Sequence, residues 1–248
     1  MALVATKVLF VTGASRGVGA LIVEKALAAG HSVVATARSP RTLIDIFGSR
    51  PGALVLALDV TDEVQAHAAV MAAIDRFGRI DVLVNHAASG LLGAVEEARA
   101  KDVEALYRTN VFGLLAVTRA VLPSMRRRRS GHIINFSSGR LGRAGLGVYC
   151  SSKLAAEGLS EALAFELQPL GIHVTVVEPE YFGAALIDTK SVSARTIADY
   201  RDTSGALHMG FDDSDPARPS DPAKLADALI KLIDEPNPPV RLHLRREP

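Results

Sequence analysis

Tyr149 and Lys153 stand four residues apart in the stretch Tyr149-Cys150-Ser151-Ser152-Lys153. If that stretch is helical, the phenol and the ammonium lie on one face, a turn apart. A phenol exchanges protons poorly at neutral pH, because its ordinary pKa is about 10. A neighbouring cation favours the phenolate and draws that value towards the working range. The pair is therefore a candidate acid–base unit for adding or removing a proton at an oxygen. The same spacing occurs in any solvated helix pair, so its meaning depends on the elements that position it.

The next stretch with chemical content is Thr12-Gly13-Ala14-Ser15-Arg16-Gly17-Val18-Gly19. It follows the apolar run Lys7 to Thr12, which reads as a strand buried on both faces. An amphipathic helix follows from about Val18 to Ala29, closed by Gly30, and Ser32 to Ala37 completes a β-α-β unit. Glycines between a strand and a helix start let the backbone approach a pyrophosphate, and the first N–H groups of the helix face its charge. In a dinucleotide site the adenosine ribose lies at the end of the second strand. An acid there would bind the 2′-hydroxyl, and an arginine would accept a 2′-phosphate. The chain has Thr36-Ala37-Arg38 at that point, and Arg16 adds a second cation. These residues predict NADP(H) in preference to NAD(H).

The alternation continues. Ala53 to Leu58 reads as a strand ending at Asp59-Val60, and Thr61 or Asp62 can cap a helix that Gly78 stops. Asp81 to Val84 is a fourth strand, running into Asn85-His86-Ala87-Ala88. Asp102 to about Arg126 is periodic and apolar, with Asn110 mid-helix, where an asparagine is either exposed or recruited for a polar task. His132 to Phe136 leads into Ser137-Ser138, the Tyr149 helix extends to about Leu167, and Ile172 to Val177 is a sixth strand. Asp221-Pro222 opens a helix to about Asp234, and Val240 to Leu244 is a last strand. This pattern implies a parallel sheet covered on both faces. Residues 188–221 are polar and weakly periodic, and read as part of a substrate lid, at about 181–221, over the carboxyl edge of the sheet.

A chain of 248 residues with 48% hydrophobic content fills a core without disulfides or metals. Cys150 is the single cysteine, which excludes an internal disulfide and a cysteine metal site, and fits a reducing compartment. The first strand begins by Lys7 without a leader, and no stretch approaches 18 uninterrupted apolar residues. A cytoplasmic protein off the membrane is expected. A net charge of +1 gives no reason to expect nucleic acid. The run Arg126 to Arg129 suits a helix C-terminus and reads as solvated. His67 reads as surface, and Cys150 as packing or pocket wall.

Taken together, these residues resemble the short-chain dehydrogenase/reductase family over nearly the whole chain. Thr12 to Gly19 looks like its coenzyme motif, with Gly13, Ser15, Arg16, Gly17, Val18 and Gly19 against the cofactor. Asp59, followed by Val60, falls at its adenine-contacting aspartate, and Asn85-His86-Ala87-Ala88 is similar to its N-N-A-G motif through Asn85 and Ala87. Asn110, Ser138, and Tyr149 with Lys153 fall at its catalytic positions, and Pro179 at its turn after the sixth strand. The resemblance implies one Rossmann-fold domain over residues 1–248, doubly wound about a mostly parallel sheet of about seven strands. It implies an oxidoreductase that interconverts a small-molecule carbonyl and an alcohol by hydride transfer, assembled as a homodimer or homotetramer. Tyr149 would exchange the proton, Ser138 would bond the substrate oxygen, and Lys153 would lower the tyrosine pKa and bind the nicotinamide ribose. Asn110 would hold a relay water.

The chain departs from that pattern in four ways. His86 and Ala88 replace an asparagine and a glycine, implying tighter backbone approach there. Glu180 and Ala184 replace a glycine and a threonine near the nicotinamide. The loop between the serine and Tyr149 is about two residues short, which leaves Ser137 as a second candidate for the serine role. The departures at His86, Glu180 and Ala184 keep an alternative open, a dinucleotide-binding sensor or scaffold of the same fold with little chemistry.

Overall fold

The structure is a computed structural model, and it describes residues 6–138, 143–179, 193, 195–205 and 221–244. Seven strands form one parallel sheet: β1 (Val8–Val11), β2 (Ser32–Ala37), β3 (Ala53–Ala57), β4 (Val82–Asn85), β5 (Gly131–Phe136), β6 (Ile172–Pro179) and β7 (Arg241–Leu244). Their spatial order is β3-β2-β1-β4-β5-β6-β7. The winding therefore reverses between β1 and β4, and the crevice beyond the carboxyl ends of these strands is where such sheets bind ligands.

The strand side chains alternate between two cores. Leu9, Val11, Val82, Val84 and Ile134 pack on one side with α1 (Gly17–Ala28), α2 (Arg41–Phe47) and the last helix (Pro222–Asp234), which follows here as α7. Phe10, Val34, Leu83 and Ile133 pack on the other with α3 (Glu63–Phe77), α5 (Leu114–Arg128) and α6 (Gly147–Leu167). Between α3 and α5 runs α4 (Ala100–Tyr107). The doubly wound fold expected from the alternation is the one that forms.

Local chemistry sets several boundaries. Asp62 accepts the N–H groups of Val64 and Gln65, at 2.9 and 3.0 Å, and starts α3; Gly78, at φ +78°, ends it. Asp221 caps α7 ahead of Pro222. The long helix expected from Asp102 to Arg126 runs from Ala100 to Arg128, but Arg108–Gly113 is wound as a π-helix. At its far end Arg126, Arg127 and Arg129 are exposed, as expected. Arg128 is instead tied to the segment before β4, donating to the Ser124 hydroxyl at 2.9 Å and the Ile80 carbonyl at 2.6 Å.

Of the expected lid, Ser193, 195–205 and Asp221 lie within the described residues. Ser193 N–H donates to the Leu92 carbonyl (2.7 Å), Ile197 N–H to the Glu97 carboxylate (2.8 Å), and the Tyr200 hydroxyl to Glu96 (2.7 Å). The described part of that stretch is thus tied to the segment that follows β4.

Candidate active site

Two glycines of the first turn have left-handed φ, Gly13 at +68° and Gly17 at +56°, which side-chain-bearing residues adopt at a cost. A Cβ on Gly13 would lie 2.7 Å from Ala87 Cα. A Cβ on Gly19 would strike the Gly13 carbonyl and lie 2.9 Å from His86 Nδ1. The turn is fixed from both sides: Ala14 N–H donates to the Thr36 carbonyl at 3.0 Å, and the Thr12 hydroxyl accepts the N–H groups of His86 and Ala87, each at 3.1 Å. Asp62 and Asp221 cap α3 and α7, whereas the start of α1 has no side-chain cap and no acid in its first turn. Its first N–H groups thus have no side-chain cap, a donor set that fits a phosphate. Ser15 is half-buried beside it, Val18 is buried beneath, and Arg16 is exposed at the N-cap.

Arg38 is the first residue beyond β2, and it is exposed. After β3, Asp59 Oδ1 accepts from the backbone and hydroxyl of Thr61, at 2.9 and 2.8 Å, which orients the carboxylate. Val60 is buried against Gly113, where a Cβ would lie 2.7 Å from Val60 Cγ2. Pro179 closes β6 beside Leu244. Glu180 and Ala184 lie outside the described residues.

Asn85 is held in a buried network. Its Nδ2 donates to Thr118 at 3.0 Å and to Asn135 Oδ1 at 2.9 Å, Asn135 donates to Ser160 at 2.8 Å, and Ser160 donates to the Ala156 carbonyl. This buried ladder joins α5, β4, β5 and α6. His86 braces the glycine turn. Its ring lies edge-on to Phe136, with centroids 5.0 Å apart, and Nδ1 is 3.2 Å from the Gly13 carbonyl. A carbonyl only accepts, so Nδ1 carries the proton. Burial pulls the imidazole pKa down to about 4, against the raising effect of that bond, and the ring is neutral at pH 7.

Tyr149 and Lys153 share one face of α6 and are 8% and 6% exposed. Lys153 Nζ donates to the Phe136 carbonyl at 3.0 Å, which sets the ammonium at the end of β5. Burial lowers the Lys153 pKa to about 8, with the Glu157 carboxylate opposing. The spacing led us to expect a lowered phenol. Instead, burial pushes the Tyr149 phenol above its ordinary value, with Cys150 adding to the rise. Both groups are thus held towards their neutral forms, as desolvation requires.

Asn110 is recruited rather than exposed. It sits in the π-helix and is buried; its Nδ2 donates to the Ser89 carbonyl (2.9 Å) and the Ser152 hydroxyl (3.0 Å), and its Oδ1 accepts from Ser89 N–H (2.8 Å). The widened turn carries this side chain to the segment after β4 and to the helix of Tyr149. Of the two serines, Ser137 is buried and donates to Glu157, while Ser138 is half-exposed at the end of β5. Sequence reasoning passed over Ser89, Ser152 and Glu157. Glu157 could have been noticed: it continues the spacing of Tyr149 and Lys153 by four more residues.

Among the described residues no cluster of histidine, cysteine and carboxylate side chains could hold a metal, and no helix is long and apolar enough to cross a membrane.

Comparison with known proteins agrees with this geometry. Residues 7–194 match the short chain dehydrogenase family. An oxidoreductase, BOA17, of Botryotinia fuckeliana is 40% identical over 245 residues, covering 96% of this chain and 88% of the relative. The 3-ketodihydrosphingosine reductase of Bacteroides thetaiotaomicron is 36% identical over 239 residues, 95% of this chain and 86% of the relative. Among solved structures, a short-chain dehydrogenase from Streptomyces avermitilis superposes with a TM-score of 0.86 at 38% identity, covering 97% of this chain and 88% of the other. A metagenomic short-chain oxidoreductase in complex with NADP gives 0.77 at 27% identity, covering 98% and 99%. With the cradle at the β1–β4 switch and the buried Tyr149–Lys153 pair, these matches identify the chain as an oxidoreductase of the short-chain dehydrogenase family.

Proposed function

We propose that the protein is an NADP(H)-dependent oxidoreductase that interconverts a small-molecule carbonyl and an alcohol. The observation that carries this reading is the burial of Tyr149 and Lys153 on one face of α6, with the ammonium at the end of β5. Burying a phenol and an amine costs free energy, and buried titratable groups with perturbed pKa values cluster at functional sites. The uncapped start of α1, Gly13, Gly17 and Gly19 would hold the pyrophosphate, Asp59 and Val60 the adenine, and Arg38 with Arg16 a 2′-phosphate. Ala87 would line the cofactor side of the crevice, and Pro179 its far end. Asn85 keeps its place in this reading as support for that wall. When bound, the nicotinamide supplies or accepts hydride at the substrate carbon.

The chain's own residues do the proton work. Tyr149 gives a proton to the carbonyl oxygen, or takes one from the alcohol. Ser138 donates a hydrogen bond to that oxygen; it is half-exposed at the end of β5, whereas Ser137 is buried. Lys153, cationic at neutral pH, stabilises the phenolate as it forms. Asn110 fixes Ser89 and Ser152 around the pair and holds the relay water. The NADP-bound relative and the Bacteroides ketone reductase support the cofactor and the carbonyl class.

The test is a Tyr149→Phe variant assayed with NADPH on a panel of ketones and aldehydes, and with NADP on alcohols. Turnover falls by about a hundredfold or more. Equal turnover in both proteins would refute the assignment, and cofactor binding without wild-type turnover on the panel would favour a binding protein.

A further inference from the structure

We propose that Glu157 is a positioning residue for this reaction: gripped by Ser137 and Arg241, its carboxylate holds the charge and position of Lys153, and brings the last strand into the site. The inference rests on Tyr149 and Lys153 being the acid–base unit.

Tyr149, Lys153 and Glu157 follow one another at intervals of four along α6, and all three are buried. A carboxylate is seldom buried unless it is paired. Glu157 is held on both sides, by the Ser137 hydroxyl through Oε1 and by Arg241 Nη1 at 3.2 Å through Oε2. Ser137 directly follows Phe136, whose carbonyl takes the Lys153 ammonium. One carboxylate therefore fixes the end of β5 at the residue next to the carbonyl that takes the amine.

Glu157 is not needed to satisfy Arg241. That guanidinium also binds Glu178 through Nη1 and Glu161 through Nη2. Glu178 in turn accepts His243 at 2.9 Å. A third acid, buried one helical turn from a buried lysine, acts on the lysine through its charge. It opposes the drop that burial imposes on Lys153. Arg241 tempers that effect by neutralising part of the Glu157 charge. Among the described residues, the charged and titratable groups around this centre are Tyr149, Cys150 and Glu161 on α6, His86 after β4, Glu178 on β6, and Arg241 and His243 on β7.

The two ends of the Glu157–Arg241 pair therefore act on Lys153 in opposite directions. In protein labelled with 13C at lysine Cε, an NMR titration follows Lys153, with Lys153→Met identifying its resonance. Glu157→Gln moves the midpoint to lower pH by about one unit, and Arg241→Gln moves it to higher pH. In NADPH-dependent turnover of a carbonyl from the panel, the alkaline limb of kcat moves with each midpoint. A role confined to stability would lower the melting temperature and leave both midpoints in place. Unmoved midpoints, or shifts of the same sign in both variants, overturn the inference. If Glu157→Gln does not fold, the partly exposed Arg241→Gln decides alone. Undiminished turnover of Tyr149→Phe would remove the catalytic assignment and this inference together. A dead Tyr149→Phe with unmoved midpoints removes only the role of Glu157.

Discussion

Replacing Lys153 with methionine separates the stability cost of the site from its chemistry. Burial lowers the lysine pKa from an ordinary 10.5 to about 8. Between these values the unfolded chain binds more protons than the native one, so wild-type stability rises with pH through that window. The native state carries the full penalty below pH 8 and none above 10.5. A drop of about 2.5 units, at about 1.4 kcal/mol each, corresponds to roughly 3 kcal/mol, most of it recovered by pH 10. Methionine carries no charge and escapes the penalty, but it leaves the Phe136 carbonyl without its donor, at about 1–3 kcal/mol. At pH 7 the two effects largely offset, and the variant melts close to the wild type. The loss at Phe136 does not depend on pH, whereas the lysine penalty does. Thermal melts of both proteins between pH 7 and 10 therefore show wild type gaining on the variant by roughly 5–10 °C. Parallel curves would refute a desolvated ammonium at the end of β5.

Gly17→Ala melts lower, by the strain of an alanine at φ +56°, about 1–2 kcal/mol, because its Cβ would meet open space. Gly19→Ala drives a Cβ against the Gly13 carbonyl and His86, and NADPH titration by fluorescence shows affinity down by more than about tenfold. Arg38→Ala weakens NADPH by about tenfold and leaves NADH unchanged, since an exposed arginine on a phosphate contributes at the low end of a charge-assisted bond; tighter NADH than NADPH binding by wild type would sink the 2′-phosphate argument. Asn135→Val removes a bond from both Asn85 and Ser160 and costs about 1–3 kcal/mol by urea denaturation.

What the sequence made legible was whatever rests on neighbours in the chain. Asp62 and Gly78 mark the ends of α3 because a cap and a left-handed residue act over three or four positions. The strands were legible as apolar runs, and the cradle because three glycines cluster where a strand gives way to a helix. Asn110 could be read only as exposed or recruited, because its partners Ser89 and Ser152 lie 21 and 42 residues away. The spacing of Glu157 was visible, but its partners were not, with Ser137 20 residues upstream and Arg241 84 downstream. The spacing of Tyr149 and Lys153 placed the pair correctly on one face. It could not report how deeply the phenol is buried, and burial decides the direction of its pKa.

The ladder through Asn85 and Asn135 also bears on how the sheet chooses its alignment. Parallel strands that are apolar on both faces can slide by two residues and still bury the same kinds of side chain. In the native pairing Asn85 lies opposite Asn135, and Leu83 opposite Ile133. A two-residue slip would set Asn85 against Ile133 and separate the two carboxamides, leaving each short of a partner inside the core. The asparagine pair acts as an alignment pin for the central strands. Because β4 and β5 carry His86, Phe136 and the two serines at their ends, fixing that alignment also places the floor of the crevice.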